Sequence, residues 1–288
     1  MLTVSASSKP FIAAVEGINL AAPLDDATFK AILDAWVTYP VLMFPDQDLD
    51  SDAQQVFAER FGRLVGRTRP KGERGKEAQD NPYMMLVSNV RDDDGTALGA
   101  GDYPLPFHTD GCFNPVPSLA TFLYGIEVPG QGGETLFVDM NEVYDALTPA
   151  TQERLLGLRG VNYHTFSYER YDPESAGGRP ITEVVTNAVH PMVISHPLSN
   201  KPIVYANRHN TYDIAGMERA AAQPILDEIF TAIEQPARLY THKWRVGELV
   251  MWDNRAVQHA RAACLPEERR MLRRFAVEAS DTPTPFRQ

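Results

Sequence analysis

The chain has 288 residues, 43% of them hydrophobic and 23% charged, which is enough apolar material for a large globular core. Its formal net charge of −11 argues against a nucleic-acid backbone or an anionic membrane surface as a partner. A small anionic molecule remains allowed wherever basic residues gather locally.

In chain order, the first helix is expected in DDATFKAILDAWV, where an aspartate cap precedes Phe29, Ile32, Leu33, Trp36 and Val37 at helical spacing. SDAQQVFAERFG gives a second helix closed by Gly62, and TPATQERLLG a third, with Pro149 in its first turn and Gly157 at its end. The longest should run from about Met217 to Glu234, kinked or begun at Pro224. Strand-like runs fill most of the remainder: 41–44, 84–89, 118–128, 134–140, 160–166, 193–196, 202–207, 237–244, 248–252 and 273–279. Polar, turn-rich stretches at 66–82, 91–104 and 169–180 read as loops. About ten short strands with few helices predict a mainly β protein, a sandwich or barrel of two sheets with flanking helices.

Cys112 and Cys264 form no C-x-x-C pair, so reduced thiols in a cytoplasmic protein are expected. The first residues lack the pattern of a secretory signal, and no segment approaches the ~20 apolar residues needed to cross a bilayer.

The chemistry concentrates in two places. In PFHTDGCF, an extended backbone would put His108 and Asp110 on one face. Much later, ELVMW forms a buried strand, WDNR turns, and His259 follows; Asp253 and Asn254 shape that turn and orient His259. Two histidines and one carboxylate are the donor set of a non-haem iron facial triad, which leaves coordination positions open. A closed structural zinc site would use four ligands, generally rich in cysteine. The tail supplies a further alternation. Counting in twos, Arg270, Leu272, Arg274 and Ala276 share one face, while Met271, Arg273, Phe275 and Val277 share the other, which is largely core. Two arginines on one face of a strand need an anion if that face is enclosed, and are merely solvated if it is an exposed edge.

With FHTDGCF, GGETLFVDM followed by YDALTP, and WRVGELVMWDNRAVQHARAACLPEERRMLRR together, the chain resembles the TauD/TfdA family of Fe(II)/2-oxoglutarate-dependent dioxygenases, the taurine dioxygenase and phenoxyacetate-herbicide dioxygenase type. The resemblance extends to YPVLMFPDQDLD and FAERFG near the N-terminus, so one domain over 1–288 is expected. It implies a double-stranded β-helix core, jelly-roll and cupin-like. It also implies that His108, Asp110 and His259 hold Fe(II), and that Thr135 and Arg270 bind the distal carboxylate of 2-oxoglutarate. Arg274 matches the position near the proximal carboxylate and, in some members, near the anionic head of the substrate. Gly111 and Phe113 match substrate-facing positions. The reaction implied consumes 2-oxoglutarate and O2 and releases succinate and CO2. Because Asp110 is a carboxylate, hydroxylation is expected rather than halogenation.

Tyr103, Phe107, Phe113, Tyr168 and Tyr171 lie on or beside the loops expected around the site and could form an apolar wall. With Arg274, they point to a small anionic substrate with a hydrophobic body, such as an aryloxyalkanoate or sulfonate. RTRPKGER, at 67–74, reads as a solvated loop that could add an anion contact. The remaining histidines, His164, His190, His196, His209 and His242, read as structural or surface residues. A natural-product or amino-acid tailoring oxygenase, acting by hydroxylation or desaturation, is the alternative on the same scaffold. A catalytically silent metal- or ligand-binding protein is a second alternative. A homo-oligomer, dimer or tetramer, is expected by resemblance.

Overall fold

The structure, a computed structural model, describes residues 2–66, 81–95, 97–99, 103–165 and 184–287. It is mainly β, with sixteen strands and five α-helices among the described residues. The strands are β1 (Thr3–Ala6), β2 (Ile12–Glu16), β3 (Val41–Phe44), β4 (Met85–Ser88), β5 (Leu105–His108), β6 (Ser118–Glu127), β7 (Thr135–Asp139), β8 (Arg159–Thr165), β9 (Val184–Pro191), β10 (Val193–Ser195), β11 (Pro202–Val204), β12 (Thr211–Ile214), β13 (Tyr240–His242), β14 (Leu249–Asp253), β15 (Val257–Arg261) and β16 (Met271–Glu278). The helices are α1 (Asp26–Thr38), α2 (Ser51–Glu59), α3 (Met140–Ala146), α4 (Pro149–Leu156) and α5 (Arg219–Ile233).

Two sheets dominate. One has seven strands in the order β1-β2-β3-β14-β6-β16-β4, and the other has four in the order β13-β7-β15-β5. Their inner faces share one apolar cluster, in which Leu123, Val250, Trp252 and Leu272 of the first sheet meet Phe137 and Val257 of the second. The outer face of the seven-stranded sheet carries Leu42, Phe122, Met251, Phe275 and Val277 against Ile32 and Trp36 of α1 and Phe57 of α2. On the far side of the smaller sheet, Phe107, Val138 and Ala260 pack with Ile225, Leu226 and Ile229 of α5 and with β10 and β11. The layers therefore run helices, sheet, sheet, helix.

Helix starts follow the capping chemistry read from the sequence. Asp25, Asp50 and Thr148 each accept a hydrogen bond from a backbone N–H in the first turn of α1, α2 and α4. α5 begins at Arg219 and passes through Pro224 rather than starting there. Burial of Ala222, Ile225, Leu226, Ile229, Phe230 and Ile233 on one stripe offsets the lost hydrogen bond. Several elements depart from the sequence expectation. β1, β2, β9, β12, β15 and the short α3 were not anticipated, and the strand expected over 237–244 contracts to β13, because Pro236–Arg238 forms a 3-10 turn first. No described helix is long and apolar enough to cross a membrane.

Candidate active site

β5 and β15 are neighbours, and their register places His108 directly opposite His259. His259 is therefore inside a strand, not just past one. Between this pair and Leu105–Arg261 the register shifts, with the extra residue on the β5 side, where Pro106 has no N–H to offer the ladder. β5 ends at His108, so Asp110 does not share a strand face with it. A tight turn brings Asp110 round instead: Gly111 sits at φ 70°, and a Cβ there would fall 2.9 Å from Ser118 Oγ. The two side chains therefore come together through a turn rather than through the shared strand face expected from the sequence.

One donor atom from each of His108, Asp110 and His259 lies within 4.8 Å of the others. His108 Nε2 is 3.8 Å from Asp110 Oδ1, and His259 Nε2 is 4.0 Å from Asp110 Oδ2. These separations are too long for direct hydrogen bonds and leave room for a shared ion. His108 Nδ1 lies 2.9 Å from the Pro106 carbonyl, an arrangement that puts the proton on Nδ1 and leaves Nε2 as a bare lone pair. Burial, aided by neighbouring cations, pushes His108 down to about 3 and His259 down to about 4, so both are neutral at physiological pH. For Asp110, burial acts upward, but Arg274, His259, His108 and a hydroxyl donor outweigh it and hold the carboxyl well below its usual range. Two neutral imidazoles and one ionised carboxylate fit a divalent first-row cation such as Fe(II).

These groups line a cavity of about 260 Å³ that also takes in Thr135, Arg270 and Arg274. The alternation read along β16 holds. Arg270 and Arg274 face the cavity, whereas Arg273 points to the opposite side and is satisfied by Gln54 Oε1 and the carbonyl of Asp50. Arg274 Nη2 is 2.8 Å from Asp110 Oδ2. Arg270 is only 2% exposed; its Nε donates to the Gly133 carbonyl, and its Nη1 has no hydrogen-bond partner among the described residues. Burial and the nearby Arg261 pull its guanidinium down from 12.5 to about 9. A buried cation with an unused donor facing a cavity is the host half of an anion site. Gly133, at φ 68°, allows the approach, since a Cβ there would lie 2.8 Å from Arg270 Cδ. Thr135 Oγ accepts from Trp244 Nε1, which leaves its own proton free to donate.

Of the residues expected to face substrate, Tyr103, Gly111 and Phe113 line the cavity. Phe107 does not: it alternates away from His108 into the core beside Val138 and Met140. Tyr168, Tyr171 and the 67–74 segment lie outside the described residues. The reading of the other histidines needs correction in part. His164 stacks on Phe113 with centroids 4.3 Å apart, His209 sits edge-on to His108, and both line the cavity. His190, His196 and His242 are buried structural residues rather than surface ones. Sequence reasoning also missed Thr121, whose hydroxyl donates to Asp110 Oδ2 at 2.6 Å, and Trp244. Asn254 supports Thr121 rather than His259, donating to its Oγ1 at 3.0 Å, and Asp253 pairs with His196 and Arg255. Cys112 is a core thiol, pushed up to about 12 by burial.

The model of the family described as "Taurine catabolism dioxygenase TauD, TfdA family" matches residues 5–276. The chain belongs to the TauD/TfdA family. Membership makes it an Fe(II)- and 2-oxoglutarate-dependent dioxygenase, with O2 as the oxidant. Among its TauD/TfdA relatives, pentalenolactone F synthase of Streptomyces avermitilis is 31% identical over 95% of this chain and 93% of the relative. The alpha-ketoglutarate-dependent 2,4-dichlorophenoxyacetate dioxygenase of Cupriavidus pinatubonensis is also 31% identical, over 92% of this chain and 93% of its own. The crystal structure of a taurine dioxygenase from Burkholderia xenovorans superposes with a TM-score of 0.80 at 23% identity, covering 100% of this chain and 93% of that one, a likeness in fold.

Proposed function

We propose that this dioxygenase hydroxylates an unactivated C–H bond of a small organic acid, an aryloxyalkanoate or a sulfonate, converting 2-oxoglutarate and O2 into succinate and CO2. The observation that carries the reading is one cavity holding both the His108–Asp110–His259 donor group and the unsatisfied guanidinium of Arg270. On this reading His108, Asp110 and His259 hold Fe(II), which supplies the oxygen-activating chemistry when bound. Arg270 Nη1 and the Thr135 hydroxyl take the distal carboxylate of 2-oxoglutarate. Arg274, already on the cavity wall beside Asp110, lies near the proximal carboxylate and presents positive charge to the acidic head of the substrate. Tyr83, Met85, Val87, Leu105, Phe113 and Leu123 supply apolar surface for its body and exclude water around the C–H bond. Sequence identity to the 2,4-dichlorophenoxyacetate dioxygenase supports that substrate class.

The same reading makes the two facing sheets the halves of a double-stranded β-helix within one domain over 1–288. The protein would work in the cytoplasm with both thiols reduced, as a dimer or tetramer measurable by analytical ultracentrifugation. The decisive assay is anaerobic loading with Fe(II), exposure to air, and quantification of succinate with a panel of aryloxyalkanoates, sulfonates, amino acids and natural-product intermediates. Substrate-stimulated succinate formation is expected from the first two groups, with loss of bound iron in His259→Ala. Bound iron without 2-oxoglutarate turnover on any compound would overturn the reading.

A further inference from the structure

The carboxylate of Asp110 is held by a hydrogen-bond relay whose direction is fixed at every step. Trp252 Nε1 can only donate, and it donates to Asn254 Oδ1 at 3.0 Å, which orients that amide. Asn254 Nδ2 therefore donates to Thr121 Oγ1, also at 3.0 Å, and the Thr121 hydroxyl spends its single proton on Asp110 Oδ2 at 2.6 Å. Thr121 and Asn254 are both fully buried, on β6 and just past β14, strands whose ladder pairs Trp252 with Thr121. Arg274 Nη2 forms an ion pair with the same Oδ2 at 2.8 Å. Oδ2 is thus doubly engaged, while Oδ1 is the oxygen turned toward His108 Nε2. Trp252, at the head of the relay, also packs on the His259 ring with centroids 4.6 Å apart.

We propose that Thr121 and Asn254 are positioning residues that hold Asp110 as a one-oxygen metal ligand. The inference rests on the assignment of Asp110 as a ligand. A carboxylate that swung about its last bond could offer both oxygens to the ion and take a second coordination position. An octahedral ion with three protein ligands has three positions left, and a two-oxygen co-substrate together with O2 needs all of them. Engaging Oδ2 from two sides keeps the third position available.

The test compares wild type with Thr121→Val and Thr121→Ala, which lack the hydroxyl, and Thr121→Ser, which keeps it. Anaerobic Fe(II) titration, the charge-transfer absorption formed on adding 2-oxoglutarate to the iron-loaded protein, and thermal unfolding of the metal-free protein are read for each. Loss of a group that orients a metal ligand typically weakens binding by about 10- to 100-fold, and that loss is expected for Thr121→Val. Its charge-transfer band should shift or weaken, with both properties restored in Thr121→Ser. A purely structural role would lower the unfolding temperature while leaving iron affinity and the band of the folded variants at wild-type values, and that result would overturn the proposal. If Thr121→Val does not fold, Thr121→Ala, which only removes atoms, gives the same reading. Failure of wild type itself to bind Fe(II) would instead sink the assignment of the ligands.

Discussion

Replacing Arg270 with methionine should move stability and co-substrate use in opposite directions. The side chain is 2% exposed, and a guanidinium brought from 12.5 to about 9 by burial and by the nearby Arg261 carries a cost of roughly 5 kcal/mol at neutral pH, at about 1.36 kcal/mol per pH unit. Methionine has similar reach and no charge, so that cost disappears; the Gly133 carbonyl loses its donor, a penalty of about 1–3 kcal/mol. The ligand-free variant should therefore be more stable by roughly 2–4 kcal/mol, visible as a rise in Tm. The unpartnered Nη1 offers at least one charge-assisted hydrogen bond to a carboxylate, worth about 1.5–3 kcal/mol, so the KM for 2-oxoglutarate should rise by one to two orders of magnitude. Differential scanning fluorimetry with and without 2-oxoglutarate and Mn(II), alongside succinate kinetics, reads both effects. A variant that is less stable when ligand-free and keeps the wild-type KM would refute the reasoning, because Arg270 would then be a satisfied structural residue.

Gly133→Ala should lower Tm and raise the KM for 2-oxoglutarate while leaving iron affinity unchanged. Its φ of 68° costs a β-carbon about 1–2 kcal/mol, and the new methyl would press on Arg270 Cδ from 2.8 Å. Unchanged kinetics would show that Arg270 has slack. Asp253 gives a pH dependence. Burial alone would raise its carboxyl, but Arg255, bound through Nε and Nη2, and His196 hold it below its usual 3.8. A depressed carboxylate contributes stability above pH 3.8 that is lost as pH falls through and below that value. Asp253→Asn should therefore cost about 3–5 kcal/mol near neutrality, and its deficit against wild type should shrink below pH 4 in urea titrations. A deficit that stays constant on acidification would contradict the assigned ion pair.

The sequence carried the arrangement of β16 well because its two faces differ so sharply: Phe275 and Val277 on one, Arg270 and Arg274 on the other. Helices α1, α2 and α4 were legible for a local reason, a capping side chain beside an apolar stripe. β15 was not legible, because four of its five residues are buried between β5 and β7, so no alternation marks Val257–Arg261 as a strand. The turn carrying Asp110 depends on the left-handed Gly111, which a period-two argument does not see. Thr121 and Trp244, and the true partner of Asn254, escaped for another reason. Their roles are hydrogen bonds across strands that are distant in sequence, and no local motif announces them.

The direct pairing of His108 with His259 across β5 and β15 means that backbone spacing, about 4.5–5.5 Å between opposed Cα atoms, sets the distance between these two imidazoles. A slip of β15 by one residue would send His259 to the opposite face and bring Gln258 or Ala260 into its place. On the ligand assignment proposed above, iron uptake is a gauge of correct strand pairing. Refolded protein with a slipped β15 would keep its β-type circular dichroism yet pass through an anaerobic iron column unretained, separating well-assembled molecules from near misses without any enzymatic assay.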